Sequence, residues 1–185
     1  MKLTRTRALL AVPFLAAAAA LTVVAAPTSA SAATCSTAWG SLAKSHPAGS
    51  HKYVTGVRAG RHACYDRVVV DLAGRAPGYN VRYVSAVTMD GSGKPVPLRG
   101  GARLQVTVVA PSYDTAGHPT YRPANQRELV DAAGYRTLRQ VAWAGTFEGY
   151  TTLGVGVRAR LPFRVFTLAG PGSGSRLVID VAHTW

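Results

Sequence analysis

Acidic residues and cysteines are scarce in this 185-residue chain, and these shortages exclude several classes of protein. There are 8 Asp and Glu against 21 Lys and Arg, so the paired carboxylates of a glycosidase are hard to assemble. Two cysteines do not make a disulfide-rich scaffold. No H-x-x-x-H or H-E-x-x-H spacing occurs, so a zinc hydrolase has little support, and we expect neither a metal nor a cofactor. The five histidines are His46, His51, His62, His118 and His183.

Other catalytic signatures are missing as well. Gly91-Ser92-Gly93 is followed by Lys94-Pro95, which makes a turn rather than a nucleophile elbow or a phosphate-binding loop. Glu148, between Phe147 and Gly149, is the one acid in an aromatic setting, and a strand-edge salt bridge explains it better than catalysis. We therefore expect no enzyme. The alternative is a secreted hydrolase with a loop-built site that uses Glu148 or the histidines.

The N-terminus has the three parts of an export signal. Lys2, Arg5 and Arg7 precede an apolar stretch from Ala8 to Ala26, and small residues follow at 30–32. This pattern predicts that residues 1–32 are a signal peptide cleaved between Ala32 and Ala33. The protein is then secreted and keeps no stable membrane span. An uncleaved anchor is one alternative, and a lipoprotein at Cys35 is another, which Thr34 disfavours.

Export determines how the cysteines are interpreted. In an oxidising compartment Cys35 and Cys64 have only each other as partners, so a single disulfide is expected. The bond would staple an N-terminal segment, residues 33–51, to the domain formed by residues 52–185. A nucleophilic or metal-binding thiol would require a reduced cysteine with a His partner.

The rest of the chain alternates apolar and polar residues in short runs separated by Gly and Pro. This pattern predicts an all-β fold, a two-sheet β-sandwich of short strands. Residues 111–136 interrupt the pattern and predict a long surface loop, with one helical turn at 125–130. The predicted strands are 67–72, 81–88, 104–109, 155–159, 163–168 and 177–181.

One strand pattern occurs twice. Residues 67–73 and 176–182 both follow R-x-V-[VI]-D-[LV]-A. In a strand the Arg and the Asp share one face while Val68, Val70, Leu72, Leu177, Ile179 and Val181 fill the other, buried face. Arg and Asp of one copy lie about 13 Å apart, so cross-strand partners are expected. Chance similarity between two buried strands is the alternative.

Four further segments accompany these two copies: Pro77-Gly78-Tyr79, Val81-Arg82-Tyr83, Gly145-Thr146-Phe147-Glu148-Gly149 and Pro162-Phe163-Arg164-Val165. Together they resemble the AMIN-like domain family of secreted and lipid-anchored proteins of high-GC Gram-positive bacteria. The resemblance covers roughly residues 52–185. It implies a β-sandwich, and it implies a non-catalytic module that binds peptidoglycan, the role of the parent AMIN domain in cell-wall amidases and secretins.

Charge points to the same class of ligand. Without the three signal cations, 18 Lys and Arg face 8 acids. Outside the cell this charge favours wall polymers or peptidoglycan carboxylates over nucleic acid. A generic basic surface, produced by Arg-rich codon usage, is the alternative. Exposed aromatic and cationic side chains would bind such a ligand. The candidates are Arg82 on a strand and Tyr113, Tyr121 and Arg122 in the long loop. We expect Tyr83 to face the core.

The export prediction has a direct test. The secreted form should begin at Ala33, and its intact mass should be two hydrogen atoms below that of the reduced chain, because Cys35 and Cys64 are joined. Intact-mass measurement before and after reduction checks both points. Thiols that titrate in the native secreted protein would contradict the pairing.

Overall fold

The computed structural model describes Cys35, residues 38–47 and residues 52–185. The predicted signal segment, its cleavage site at Ala32 and Ala33, and His51 lie outside the described residues. Over the part described, the chain forms strands and turns with no helix, and so it has no helix able to span a membrane. Eleven strands are present there: β1 Lys44–His46, β2 Val54–Arg61, β3 Tyr65–Leu72, β4 Tyr79–Val84, β5 Val87–Thr88, β6 Pro95–Val96, β7 Ala102–Val108, β8 Leu138–Phe147, β9 Tyr150–Val157, β10 Phe163–Ala169 and β11 Ser175–Ala182.

Two antiparallel sheets carry the fold. The larger sheet has the order β1-β4-β7-β9-β8, and the smaller sheet has the order β10-β11-β3-β2. Strands β5 and β6 form a short separate hairpin. The predicted all-β sandwich is confirmed.

Period-two alternation decides which side chains lie between the sheets. In β7, Leu104, Val106 and Val108 are fully buried, whereas Gln105 and Thr107 between them are only partly covered. Strands β3 and β11 place all six apolar residues of the repeated motif in the same core, each 4% exposed or less. The predicted strands and burial of both motif copies are therefore confirmed.

A disulfide ties the N-terminal segment to the smaller sheet. Cys35 and Cys64 are bonded, with 5.2 Å between their Cα atoms, which confirms the predicted pairing. The bond closes a loop of about 30 residues, and such a loop stabilises a fold by roughly 3–4 kcal/mol through the restricted unfolded chain. Beyond the bond, Gly40 accepts a hydrogen bond from the Phe163 amide, and β1 extends the larger sheet beside β4.

Several element predictions were wrong in detail. The predicted strand 81–88 is two strands, because β4 ends at Val84 and the chain bends at Ser85 and Ala86 before β5. Strands β2 and β8 were missed altogether. Their small residues, such as Gly56, Gly60 and Gly145, weaken the apolar alternation that identifies a strand.

The long loop, residues 109–137 between β7 and β8, also differs from the prediction. Residues 125–130 form a turn rather than a helical turn, with the Glu128 amide bonded to the Asn125 carbonyl. The loop then follows the outer edge of β8, where Trp143 donates to the Gln126 carbonyl and Leu129 donates to the Val141 carbonyl. It therefore covers a strand edge that would otherwise expose unpaired backbone groups. Leu129, Val130 and Tyr135 pack against the core, so the loop is only partly a surface loop.

Burial in the motif strands sets the cost of a polar substitution there. Val70→Asp or Ile179→Asp places a carboxylate without a partner among apolar side chains, and we expect the free energy of unfolding to fall by several kcal/mol. Thr167→Asp, at an exposed position of β10 in the same sheet, is the matched control. Urea unfolding of the three variants measures the difference, and native-like stability in both core variants would contradict the assignment.

Candidate functional site

The repeated motif brings its charged residues together on the outer face of the smaller sheet. Arg67 of β3 and Arg164 of β10 stand on either side of Asp180 in β11, in one row across three strands. Arg67 donates to both carboxylate oxygens, over 2.6 and 2.9 Å, and the Nε of Arg164 donates to Oδ2 over 2.8 Å. The predicted cross-strand pairing is thus confirmed for Arg67 and Asp180.

The other half of the motif pairs differently. Asp71 lies opposite Arg176 in the register, yet it binds Arg58 of β2 through two hydrogen bonds of 2.8 and 3.0 Å. Arg176 instead donates to the Ala169 carbonyl. Asp71 therefore has a cross-strand arginine, but not the one from the other copy of the motif.

Aromatic rings surround the two arginines bound to Asp180. The guanidinium carbon of Arg164 lies 4.4 Å from the ring centre of Trp39 and 5.2 Å from that of Phe166. The same atom of Arg67 lies 5.3 Å from the ring centre of Tyr65 and 5.5 Å from that of Phe166. We call these five residues, Trp39, Tyr65, Arg67, Arg164 and Phe166, the Arg–aromatic face. Each guanidinium is held between a carboxylate and aromatic rings, in a position favourable for cation–π attraction.

Charge on this face is unevenly exposed. Asp180 is fully buried, while the side chains of Arg67 and Arg164 are 22% and 40% exposed. The hydrogen bond to Asp180 raises the pKa of the Arg67 guanidinium above its ordinary value. One carboxylate facing two guanidiniums leaves one positive charge uncompensated, and it is most accessible at Arg164. Such an arrangement can bind a carboxylate or phosphate while a flat ligand surface contacts the rings.

The residues proposed from the sequence lie elsewhere and are not brought together. Arg82 is exposed on β4 and donates to the Asn80 side chain. Tyr121 lies against Trp143 of the edge strand β8, and two strands, β7 and β9, separate β8 from β4. Tyr113 forms an isolated bridge with Pro119.

Two tyrosines have structural contacts. The Tyr121 ring lies 5.7 Å from the Trp143 ring, and burial raises the pKa of its hydroxyl. Tyr83 faces the core as expected: its hydroxyl donates to the Leu161 carbonyl and accepts from the Leu161 amide. The Tyr121 ring is therefore already packed against the protein itself.

Glu148 occupies a turn and not a strand edge. It is exposed and, with Gly149, forms the two-residue connection between β8 and β9, both at positive φ (48° and 84°). Such φ values are typical of tight hairpin turns. Glu148 makes no ion pair with the described residues, so its interpretation as a salt bridge was wrong.

The four histidines that the structure describes do not form a common site. His46, His62 and His118 are exposed, and His183 is 5% exposed. In His183, Nε2 lies 3.0 Å from Oδ1 of Asp66, and Nδ1 lies 3.2 Å from the Ala63 carbonyl. Both ring nitrogens are therefore engaged, which leaves neither free to activate a nucleophile. Over the described part of the chain, no three His, Cys, Asp or Glu side chains are placed to hold a metal.

The Asp66–His183 pair can be buried because the second oxygen of Asp66 is also hydrogen-bonded. Its Oδ2 accepts hydrogen bonds from the Thr137 and Leu138 amides, over 2.6 and 2.8 Å. The carboxylate thus joins β3 to the start of β8 and, through His183, to the chain after β11. The arrangement is a structural junction.

Sequence reasoning missed most of the Arg–aromatic face. It identified Arg67 and Asp180 through the repeated pattern, but it did not assign Trp39, Tyr65, Arg164 or Phe166 to a site. A usable signal was the alternation of Arg164 and Phe166 along β10, which places both on the face opposite Phe163. No local sequence pattern identifies Trp39, because it reaches this face only through the path of the N-terminal segment that is anchored at Cys35.

The role of Asp180 is testable by a substitution of nearly equal size. Asp180→Asn removes the buried charge that binds two guanidiniums, and we expect a loss of about 3 kcal/mol in the free energy of unfolding. Glu148→Gln, an exposed acid with no ion pair to the described residues, is the control and should leave stability unchanged. Equal unfolding midpoints for both variants would show that the pair is not structural.

Comparison with known proteins gives one positive result. The AMIN-like domain family matches residues 52–183, from just before β2 to just after β11. No curated protein and no solved structure matches the chain. The matched range contains both copies of the repeated motif and four of the five residues of the Arg–aromatic face. The chain belongs to the AMIN-like domain family.

Proposed function

We propose that this protein is a secreted, non-catalytic binding module of the cell envelope that holds peptidoglycan or an anionic wall polymer on its Arg–aromatic face. Domains of this family generally associate with peptidoglycan, and this supports the class of ligand. The export signal predicted for residues 1–32 and the excess of cations over acids support an extracellular, anionic partner.

The observation that carries the proposal is the position of Arg164. Arg164 and Arg67 share the single carboxylate of Asp180, which leaves one positive charge uncompensated. The Arg164 side chain is 40% exposed, and its guanidinium carbon lies 4.4 Å from the Trp39 ring centre. A wall polymer offers carboxylates or phosphates that pair with a guanidinium, and sugar rings whose apolar faces pack on aromatic side chains. Arg164 could form the ionic contact while the neighbouring Trp39 ring packs against a sugar ring.

A catalytic role has no comparable support. Glu148 is isolated in a hairpin turn, and both ring nitrogens of His183 are occupied. We therefore do not extend the proposal to the hydrolase that the sequence left open. Arg82, Tyr113, Tyr121 and Arg122 remain predictions for a second contact surface.

Co-sedimentation of the secreted protein with purified cell wall tests the proposal. We expect Arg164→Gln to weaken binding by about tenfold, because a charge-assisted contact is lost, while Asp180 keeps Arg67 as its partner. Arg136→Gln, an exposed arginine in the long loop, removes the same charge and should have a much smaller effect. Trp39→Ala should reduce the binding that persists when salt rises from about 50 to 500 mM, since stacking is not screened.

The possible outcomes distinguish this proposal from the alternative modes of binding and from catalysis. Equal weakening by Arg164→Gln and Arg136→Gln would mean that binding depends only on net charge. Loss of binding in Arg82→Ala or Tyr121→Ala/Arg122→Ala, with Arg164→Gln unaffected, would move the contact surface to those residues. Release of soluble wall fragments would replace the binding module with a hydrolase, and absence of co-sedimentation at every salt concentration would reject the proposal.

A further inference from the structure

The outer edges of the two main sheets differ in how they are protected. The edge of β8 is covered by the long loop, β1 has only three residues, and β2 carries a β-bulge between Val54 and Gly56. Covering, shortening and bulging are common ways in which an edge strand avoids pairing with another chain. Strand β10 has seven residues and pairs with β11 without a bulge, and no described residue pairs with its outer edge beyond Phe163. This is the edge at which a further strand can be added.

The hydrogen bonds of β10 show which of its backbone groups face outward. In an antiparallel strand, alternate residues direct both their N–H and their C=O toward the same neighbour. The Phe163 amide donates to the Gly40 carbonyl, away from β11, whereas the carbonyl of the adjacent Pro162 accepts from the end of β11. The odd-numbered residues of β10 therefore face the outer edge. Among them, Val165 and Thr167 have no hydrogen-bond partner in the described part of the chain for either backbone group.

The open stretch of this edge is bounded at both ends. Gly40 occupies the edge at Phe163, and the Ala169 carbonyl accepts a hydrogen bond of 2.9 Å from the Arg176 side chain. Four backbone groups are left between these ends, the N–H and the C=O of the two residues named above. An added strand can therefore form four hydrogen bonds here.

Two copies of this stretch match each other when they run antiparallel about a two-fold axis at Phe166. Val165 of each copy then lies opposite Thr167 of the other, and these two pairs exchange all four hydrogen bonds. A register shifted toward either end would use the Phe163 amide or the Ala169 carbonyl, and both are already bonded. The stretch is therefore self-complementary in one register.

The outward side chains suit the same register. Phe166 lies opposite Phe166 of the second copy in the narrow, non-hydrogen-bonded pair, where an aromatic pair is stabilising. Arg164 lies opposite Leu168, which is 37% exposed in the single chain. Like charges directly opposite each other would destabilise the pairing, and this register opposes none. These features favour a second copy of the chain as the added strand.

We propose that the protein forms a weak two-fold dimer through residues 164–168 of β10, which joins the two four-stranded smaller sheets into one sheet of eight strands. A groove of about 310 Å³ lies beside this stretch, between Val165 and Thr167 on one side and Ala76, Pro77 and Tyr79 on the other, and it accommodates the inward side chains of the second copy. Because Phe166 lies at the two-fold axis, the Arg–aromatic face of one copy continues into that of the other. The pairing involves few residues, so the dimer belongs to the weak, transient class of interface.

Sedimentation equilibrium of the full secreted protein, from micromolar to millimolar concentration, tests the dimer. Thr167→Pro removes an outward N–H donor and no bond to β11, so we expect a folded protein whose dimerisation is weakened by about tenfold. Thr167→Ala keeps the amide and is the matched control, which should dimerise like the wild type. Urea unfolding verifies that both variants are folded. A wild type that is monomeric at every concentration, or equal dimerisation of the two variants, would overturn the proposal.

Cross-linking tests the register. In a non-hydrogen-bonded pair the Cα atoms lie about 4.5 Å apart, within the reach of a disulfide, so Phe166→Cys should give a covalent dimer on mild oxidation, seen by non-reducing electrophoresis. Leu168→Cys is the control, because the two copies of this residue lie about 13 Å apart along the strands and should not be joined. A cross-link in Leu168→Cys instead would overturn the register, and none in either variant would count against the dimer. Both measurements use no cell wall, so their outcome is independent of the wall-binding proposal.

Discussion

The apolar layer between the two sheets is the constraint on which the rest of this structure depends. Every strand that contributes to it places alternate residues inward, so positions such as Leu104, Val106 and Ile179 are committed to the core. Recognition is consequently restricted to the outer faces, the strand edges and the long loop. The Arg–aromatic face lies on the outer face of the smaller sheet, on the far side of that layer from the long loop's contacts with β8.

Two of the few acidic residues hold strands of this framework together. Asp180 and Asp66 are both buried, and each binds several donors from different strands. A buried carboxylate is tolerated only with its hydrogen-bonding capacity satisfied, and here the partners are arginines, backbone amides and a histidine. Asp71, Asp114 and Glu128 form ion pairs as well, so five of the eight acids are buried or ion-paired. The excess of arginine over the remaining acids gives the surface its positive character.

The two outer faces differ in what they offer a ligand. The smaller sheet presents guanidiniums stacked on rings across a flat surface, which suits an extended polymer. The larger sheet is covered by residues 95–99 and by the long loop, and the space between them is a bounded groove with preset width.

The sequence by itself determined the features that depend on local pattern or on simple counting. Alternation predicted the sandwich and the buried residues of both motif copies, and two cysteines in a chain with a predicted export signal allowed one disulfide. Strands β2 and β8 were not predicted, because glycines interrupt the alternation of apolar and polar residues in them. Both strands are nevertheless paired within the sheets. The partners of the side chains were decided by tertiary structure alone. Arg58 rather than Arg176 binds Asp71, Trp39 reaches Arg164, and residues 126–129 cover the edge of β8. These contacts join residues far apart in the chain, and they follow from strand order and register, which no local pattern contains.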